Sequence, residues 1–126
     1  MEKRGQPRFV IPDKAKQAIA NITTPGADGL KNGLQHSVRL IDISLNGIGL
    51  QVNAEKRDFF LKGTELLITQ VDKYVIPIPI SGTIAYAKLT KVKRGILTVD
   101  VFRIGVKFHK EMVQRDLFYI QSLFMA

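Results

Sequence analysis

The 126-residue chain contains no cysteine and no tryptophan, and it has only two histidines. Without cysteine it can form neither a disulfide framework nor a metal site built on thiolates. His36 and His109 stand far apart and do not match the ligand spacing of a metal centre. No apolar run reaches the length of a membrane span, and the first residues lack the apolar core of a signal peptide. We therefore expect a cytoplasmic protein without a metal ion or cofactor.

Signatures of catalysis are missing as well. The sequence has no Gly-rich phosphate loop, no pair of catalytic carboxylates and no Ser-His-Asp pattern. We therefore do not expect an enzyme.

What the chain does have is the composition of one folded domain with a basic surface. Hydrophobic residues make up 45% and charged residues 24%, which is typical of a globular protein. The formal net charge is +8, shared by both halves of the chain. This excess favours anionic partners such as nucleotides, nucleic acid or anionic lipid, without choosing among them.

Short runs rich in Val, Ile, Leu, Thr and Tyr dominate the chain from Ser37 onward. They predict strands over 37–44, 48–53, 64–71, 74–87, 95–102 and 104–108. Such a series is typical of a small antiparallel β-barrel or a sandwich. Pro77 and Pro79 indicate an edge or a bulge within their run.

The two ends of the chain follow other patterns. Residues 1–12 are polar and basic and contain two prolines, which predicts an extended arm. Residues 14–22 permit helix or strand, and the Gly/Pro-rich residues 23–36 predict turns and loop. Residues 110–125 carry apolar side chains at helical spacing and predict a C-terminal amphipathic helix. We expect a single domain, with the arm at 1–12, the barrel at 13–109 and the helix at 110–125.

Asp42 begins a D-x-S-x-x-G cluster that includes Ser44 and Gly47. Alternation along a strand places Asp42 and Ser44 on one face, together with Leu40. A carboxylate beside a hydroxyl can accept hydrogen bonds from a guanine edge, and glycine allows close approach of a ligand. The same residues also suit an ordinary turn with Asn46-Gly47 at a hairpin corner.

Arg4 and Arg8 form an R-x-x-x-R cluster near the N-terminus. A guanidinium grips phosphate with two hydrogen bonds and can also lie flat on a purine. A solvated basic tail would show the same residues.

The two clusters together resemble the signature of PilZ domains, the bacterial receptors for cyclic di-GMP. In that family an R-x-x-x-R arm precedes a β-barrel, and a D/N-x-S-x-x-G turn follows on an early strand. The segment Arg103-Ile104-Gly105-Val106-Lys107-Phe108 is similar to the family's closing strand. The likeness extends over about residues 3–120.

The resemblance implies a PilZ-like barrel that binds cyclic di-GMP and changes conformation to regulate a downstream protein. Arg4 and Arg8 would bind the phosphates and contact guanine, Asp42 and Ser44 would read a guanine edge, and Gly47 would leave room. Weaker candidates are Lys3 for a phosphate and Tyr86 for stacking on a base, although a strand tyrosine often serves packing.

Two alternatives remain at the level of sequence. One is an interaction-only PilZ relative that binds no nucleotide, against which the intact motif residues argue. The other is a basic barrel that binds single-stranded nucleic acid, which the basic residues 88–94 allow. The aromatic residues are sparse and form no visible stacking row, so nucleic acid is not the expected partner.

Overall fold

The computed structural model describes residues 8–12 and 18–125. Two predicted ligand-binding residues, Lys3 and Arg4, lie outside these ranges. The strands are β1 Phe9–Val10, β2 Ile19–Gly26, β3 Gly29–Ile43, β4 Gly47–Asn53, β5 Glu65–Val71, β6 Tyr74–Arg94 and β7 Leu97–Phe108. A short 3₁₀ helix, Ala54–Phe59, precedes β5, and helix α1 spans Gln114–Leu123. The predicted fold class, mostly antiparallel β with a C-terminal helix, is confirmed.

The strands form one antiparallel sheet that closes on itself. Neighbours run in the order β3-β2-β5-β6-β7-β4, and β4 pairs back with β3. The short β1 pairs with Asp42 and Ile43 at the end of β3. It lies on the same edge of β3 as β2, which pairs with residues 29–39. This closure gives every strand of the ring two neighbours and leaves a single interior.

The core fills that interior with alternate side chains of the strands. Its fully buried members include Ile22, Leu40, Leu50, Ile68, Ile84 and Ile104. Phe60 enters the core behind the 3₁₀ helix, and Ile120 enters it from α1. Val113, an apolar residue within the predicted helix 110–125, is 58% exposed because it precedes the first helical turn.

The expected loop at 23–36 is wrong. Residues 19–26 and 29–43 form the β2–β3 hairpin, with Ala27-Asp28 at its turn and Gly29 at φ +75°. Pro25 is tolerated because the register shifts around it, so the ladder requires no N–H there. Sequence patterns do not indicate this hairpin, because its residues are polar and typical of turns. Pairing of β2 with β3, and of residues 20–23 with β5, holds them extended.

The last two predicted strands are one strand, β7, and β6 continues seven residues beyond its expected end to Arg94. Together they form a long hairpin that turns at Gly95, where φ is +65°. Of the edge or bulge predicted at Pro77 and Pro79, the structure has the bulge, since both prolines fall where the β5–β6 register breaks.

A histidine is buried beside this core. His36 Nε2 lies 2.8 Å from the Thr24 hydroxyl, and the imidazole packs against the rings of Phe59 and Phe60, each at 5.1 Å between centroids. Burial lowers the pKa of His36 from its usual value, and the positive charge of Lys56 lowers it further. His36 therefore remains neutral in the folded protein at neutral pH.

Helix α1 is held to the sheet by a polar contact as well as by Ile120. The Tyr74 hydroxyl at the start of β6 donates to the carboxylate of Asp116, which is buried. This hydrogen bond raises the pKa of Tyr74, with burial as a second cause. Within the described residues, no helix is long and apolar enough to span a bilayer.

Candidate functional site

A β-bulge in β3 decides where Asp42 points. Leu40 and Asp42 pair with consecutive partners on β4 that are only one residue apart, so Ile41 is the extra residue of the bulge. Leu40 and Ile43 both lie in the core, which places Asp42 on the outer face of the sheet. The expectation that Leu40 and Asp42 share a face is wrong, because the bulge resets the alternation.

A second bulge, in β6, does the same for Tyr86. Ile84 pairs with Val106 and Tyr86 pairs with Gly105, so Ala85 is the extra residue. Ile84 is buried in the core, whereas Tyr86 is 43% exposed on the outer face.

These two bulges align four residues across four neighbouring strands. Asp42 pairs with Gly49, Gly49 with Gly105, and Gly105 with Tyr86. At the usual strand spacing this row is roughly 14 Å long. Asp42 and Tyr86 therefore stand at the two ends of a floor made by Gly49 and Gly105, which we call the glycine floor.

Both glycines are required by the side chains beside them. A Cβ on Gly49 would lie 2.6 Å from Asp42 Oδ1, and a Cβ on Gly105 would lie 2.1 Å from Cε2 of Tyr86. Carbon atoms normally approach no closer than about 3.5 Å. The absence of side chains therefore lets the carboxylate and the phenol ring lean inward over the neighbouring strands.

Arg8 is brought onto Asp42 although 34 positions separate them. The β1–β3 pairing places Val10 opposite Asp42, and Arg8 precedes β1 by one residue. Arg8 Nη1 donates to Asp42 Oδ2 at 3.2 Å. The Arg8 side chain is 62% exposed and that of Asp42 only 9%, so the guanidinium covers a nearly buried carboxylate.

Ser44 and Gly47 form the turn between β3 and β4. The Ser44 amide donates to the Gly47 carbonyl at 2.9 Å, and the Ser44 hydroxyl accepts from the Asn46 amide at 3.2 Å. A Cβ on Gly47 would lie 2.5 Å from the Val106 carbonyl oxygen. Both residues thus have a structural role in the turn and in the close approach of β4 to β7.

A surface cavity of about 260 Å³ lies on this part of the sheet. It brings together four of the predicted residues, namely Arg8, Ser44, Gly47 and Tyr86. Asp42 does not line it and reaches it only through its contact with Arg8. The cavity is otherwise lined by Asn46, Ile48, Gly49, Ala85, Gly105, Val106 and Lys107.

Sequence reasoning did not assign Gly105 or Lys107 to the site. Both stand in the Arg-Ile-Gly-Val-Lys-Phe segment, which drew attention only as a closing strand. Gly105 and Lys107 are two residues apart and therefore lie on one face of β7. This spacing is the signal in the sequence that could have indicated a role for both in the site. Lys107 adds a cation at the end of the cavity near Gly47, with which it pairs.

No protein-family model matches the chain, and no curated protein matches it by sequence. Solved structures do match its fold. The PilZ domain of YcgR from Escherichia coli, solved with c-di-GMP, superimposes with a TM-score of 0.69 at 19% identity. The match covers 98% of this chain and 92% of that one.

K. pneumonia MrkH in complex with c-di-GMP matches with a TM-score of 0.65 at 17% identity. This match covers 98% of the present chain but 50% of MrkH, so the chain spans about half the length of that protein. MrkH without ligand gives a TM-score of 0.64 at 14% identity. With these likenesses over nearly its whole length, the closed antiparallel sheet and its C-terminal helix have the fold of a PilZ domain.

Proposed function

We propose that this protein is a receptor that binds cyclic di-GMP in the cavity over the glycine floor. The observation that carries the proposal is the placement of Arg8 on Asp42 beside this cavity, although nothing in their sequence separation requires it. An exposed guanidinium that lines the cavity and a nearly buried carboxylate in contact with it offer a donor for phosphate and an acceptor for a guanine edge. Known PilZ structures with c-di-GMP support this choice of ligand.

The Arg8–Asp42 pair suggests how binding proceeds. Guanidinium has five N–H donors, and a phosphate oxygen competes well for them because the hydrogen bonds are charge-assisted. When phosphate engages Arg8, the Asp42 carboxylate becomes available to accept from guanine N1–H and N2–H. The ligand therefore replaces an internal ion pair instead of leaving the carboxylate buried alone, which would be costly.

The other predicted residues complete this arrangement. Tyr86 offers a ring face on which a base can stack at the far end of the glycine floor. Ser44 and Gly47 shape the wall beside Arg8. Arg4, with Lys3 before it, would add phosphate contacts from the segment that precedes β1.

We further propose that binding draws the arm, 1–12, more closely over the cavity from its anchor in β1, and that the resulting surface is recognised by a downstream protein in the cytoplasm. The domain comprises 1–126, with the arm at 1–12, which includes the short strand β1, the closed ring of strands β2 to β7 within 13–109 and the helix within 110–125. It acts by binding and not by catalysis. Ordering a segment around a ligand is a common way to create a new recognition surface.

Isothermal titration of cyclic di-GMP tests this proposal. Arg8→Ala should weaken binding by about 1.5–3 kcal/mol, which is roughly 10- to 150-fold, because a charge-assisted contact is lost. Arg57→Ala is the matched control, since Arg57 is exposed on the 3₁₀ helix and does not line the cavity. The control should bind like the parent.

Equal affinity of Arg8→Ala and the parent would refute the role of Arg8. A parent protein that gives no heat with cyclic di-GMP, and shows no competition by other guanine nucleotides, would refute the receptor function. That result would favour a PilZ-like protein that acts through protein contacts alone.

A further inference from the structure

A second row of residues crosses the sheet directly beside the glycine floor. Arg39 pairs with Gln51, Gln51 with Arg103, and Arg103 with Lys88. These residues lie on the outer face, because the next residue of β3, Leu40, is in the core and the pairs share one side of the sheet. We call Arg39, Arg103 and Lys88 the basic row.

The basic row does not line the cavity, but it lies one step along the strands from the glycine floor, on the side opposite Lys107. Arg103 is two residues before Gly105 on β7, and Lys107 is two residues after it. Two residues of strand span about 6.6 Å, so the Cα atoms of Arg103 and Lys107 lie about 13 Å apart with Gly105 between them. Lys88 holds the corresponding place on β6, two residues beyond Tyr86.

The charges of the basic row are not balanced within the part of the chain that the structure describes. The row contains no carboxylate, and Arg103 stands directly opposite Lys88. The ion pairs formed between described residues are Arg8–Asp42 and Lys91–Asp100, and neither involves the row. Like charges at directly opposed positions of a sheet destabilise it. A bound anion would remove that cost.

We propose that the basic row is a second phosphate-binding subsite, with Arg103 and Lys88 as its main ligands and Arg39 at its far end. It takes the phosphate group of a cyclic dinucleotide that Arg8 does not hold. The inference rests on the proposed function and deepens it, because it explains selection of a ligand with two phosphates. A guanine nucleotide with one phosphate, such as cyclic GMP, can occupy only one of the two subsites.

Arg103→Gln and Lys88→Gln test the subsite, because each removes one charge and keeps a polar side chain. Lys93→Gln is the matched control, since Lys93 lies on the same β6–β7 hairpin but its odd-numbered offset from Lys88 places it on the opposite face. Titration of cyclic di-GMP should show about a tenfold or greater loss of affinity in each test variant and less than a twofold change in the control. The dissociation constant of cyclic GMP itself should be the same in all four proteins, because this ligand does not need the basic row.

Urea unfolding of the same proteins without ligand separates a binding role from a structural one. Removing one of two opposed like charges should leave stability equal to or above that of the parent. Lys88 is exposed, so its variant reports on binding even if Arg103→Gln folds poorly.

Parent-like affinity for cyclic di-GMP in both test variants would overturn the second subsite while leaving the receptor function intact. An equal loss in Lys93→Gln would also overturn it, because a general effect of net charge would then explain the result. If the parent itself binds no cyclic di-GMP, the proposed function fails and the subsite fails with it.

Discussion

Gly105→Ala is the most direct perturbation of the site's architecture. The added Cβ would lie 2.1 Å from Cε2 of Tyr86 and 2.6 Å from two further ring atoms. An ordinary carbon–carbon contact is about 3.5–4.0 Å, so the ring must retreat by roughly 1.5 Å or change rotamer. The backbone of Gly105 itself accepts alanine, since its φ is not positive.

The cost follows from how much of the ring is covered. Tyr86 is 43% exposed, so somewhat more than half of its surface is in contact with the protein. A tyrosine buries roughly 200 Å², and losing about half of that at ~25 cal/mol per Å² gives an upper limit of ~2.5 kcal/mol. A new rotamer that keeps part of the contact lowers the penalty to about 1 kcal/mol. We therefore expect Gly105→Ala to lower the free energy of unfolding by about 1 to 2.5 kcal/mol.

A double-mutant cycle with Tyr86→Ala checks this reasoning by urea unfolding followed by far-UV circular dichroism. In the Tyr86→Ala background the added methyl group meets no ring, so Gly105→Ala should cost close to nothing. The coupling energy should therefore equal most of the single-variant penalty. If Gly105→Ala destabilises both backgrounds equally, the methyl group collides with something other than the ring, and our account of the glycine floor is refuted.

Further predictions concern stability. Tyr74→Phe leaves the buried Asp116 carboxylate without its donor and should lower the free energy of unfolding by about 1.5–3 kcal/mol. Tyr119→Phe removes the hydroxyl of the neighbouring ring instead and should change the free energy of unfolding little. In chemical denaturation, equal effects of the two variants would contradict a role for the hydrogen bond. Because burial lowers the pKa of His36, the unfolded chain binds a proton below about pH 6.5 that the folded protein does not. The free energy of unfolding should therefore fall as the pH drops below 6.5, by up to ~1.4 kcal/mol per unit, and this slope should shrink in His36→Gln. Parallel pH profiles of parent and variant would exclude His36 as the cause.

Local patterns in the sequence predicted the elements whose residues alternate clearly. The runs that form β4 and β5 are apolar on one side. Their predicted ends lie within one residue of the ends in the structure. The bulge at Pro77 and Pro79 followed from a property of proline that no neighbour can change. By contrast, β2 and the first half of β3 are rich in Gly, Thr and Asn, and their extended conformation depends on ladder partners far along the chain.

The candidate site divides in the same way. Its residue types were visible in the sequence, because a forked cation, a carboxylate, a hydroxyl and glycine carry their chemistry wherever they stand. Their arrangement was not visible, since simple alternation puts Asp42 on the same face as Leu40, and Leu40 lies in the core. The bulges at Ile41 and Ala85 turned Asp42 and Tyr86 outward, and a bulge depends on how two strands pair and not on either strand alone.

Hydrophobic alternation and side-chain chemistry are local properties, so the class of fold and the chemical groups available to a ligand follow from the sequence. Three contacts become known only from the folded sheet: Arg8 contacts Asp42, Gly105 makes room for Tyr86, and Arg103 stands opposite Lys88. Each of these contacts is set by strand register, which is fixed only when the sheet closes around its core and every strand has both neighbours.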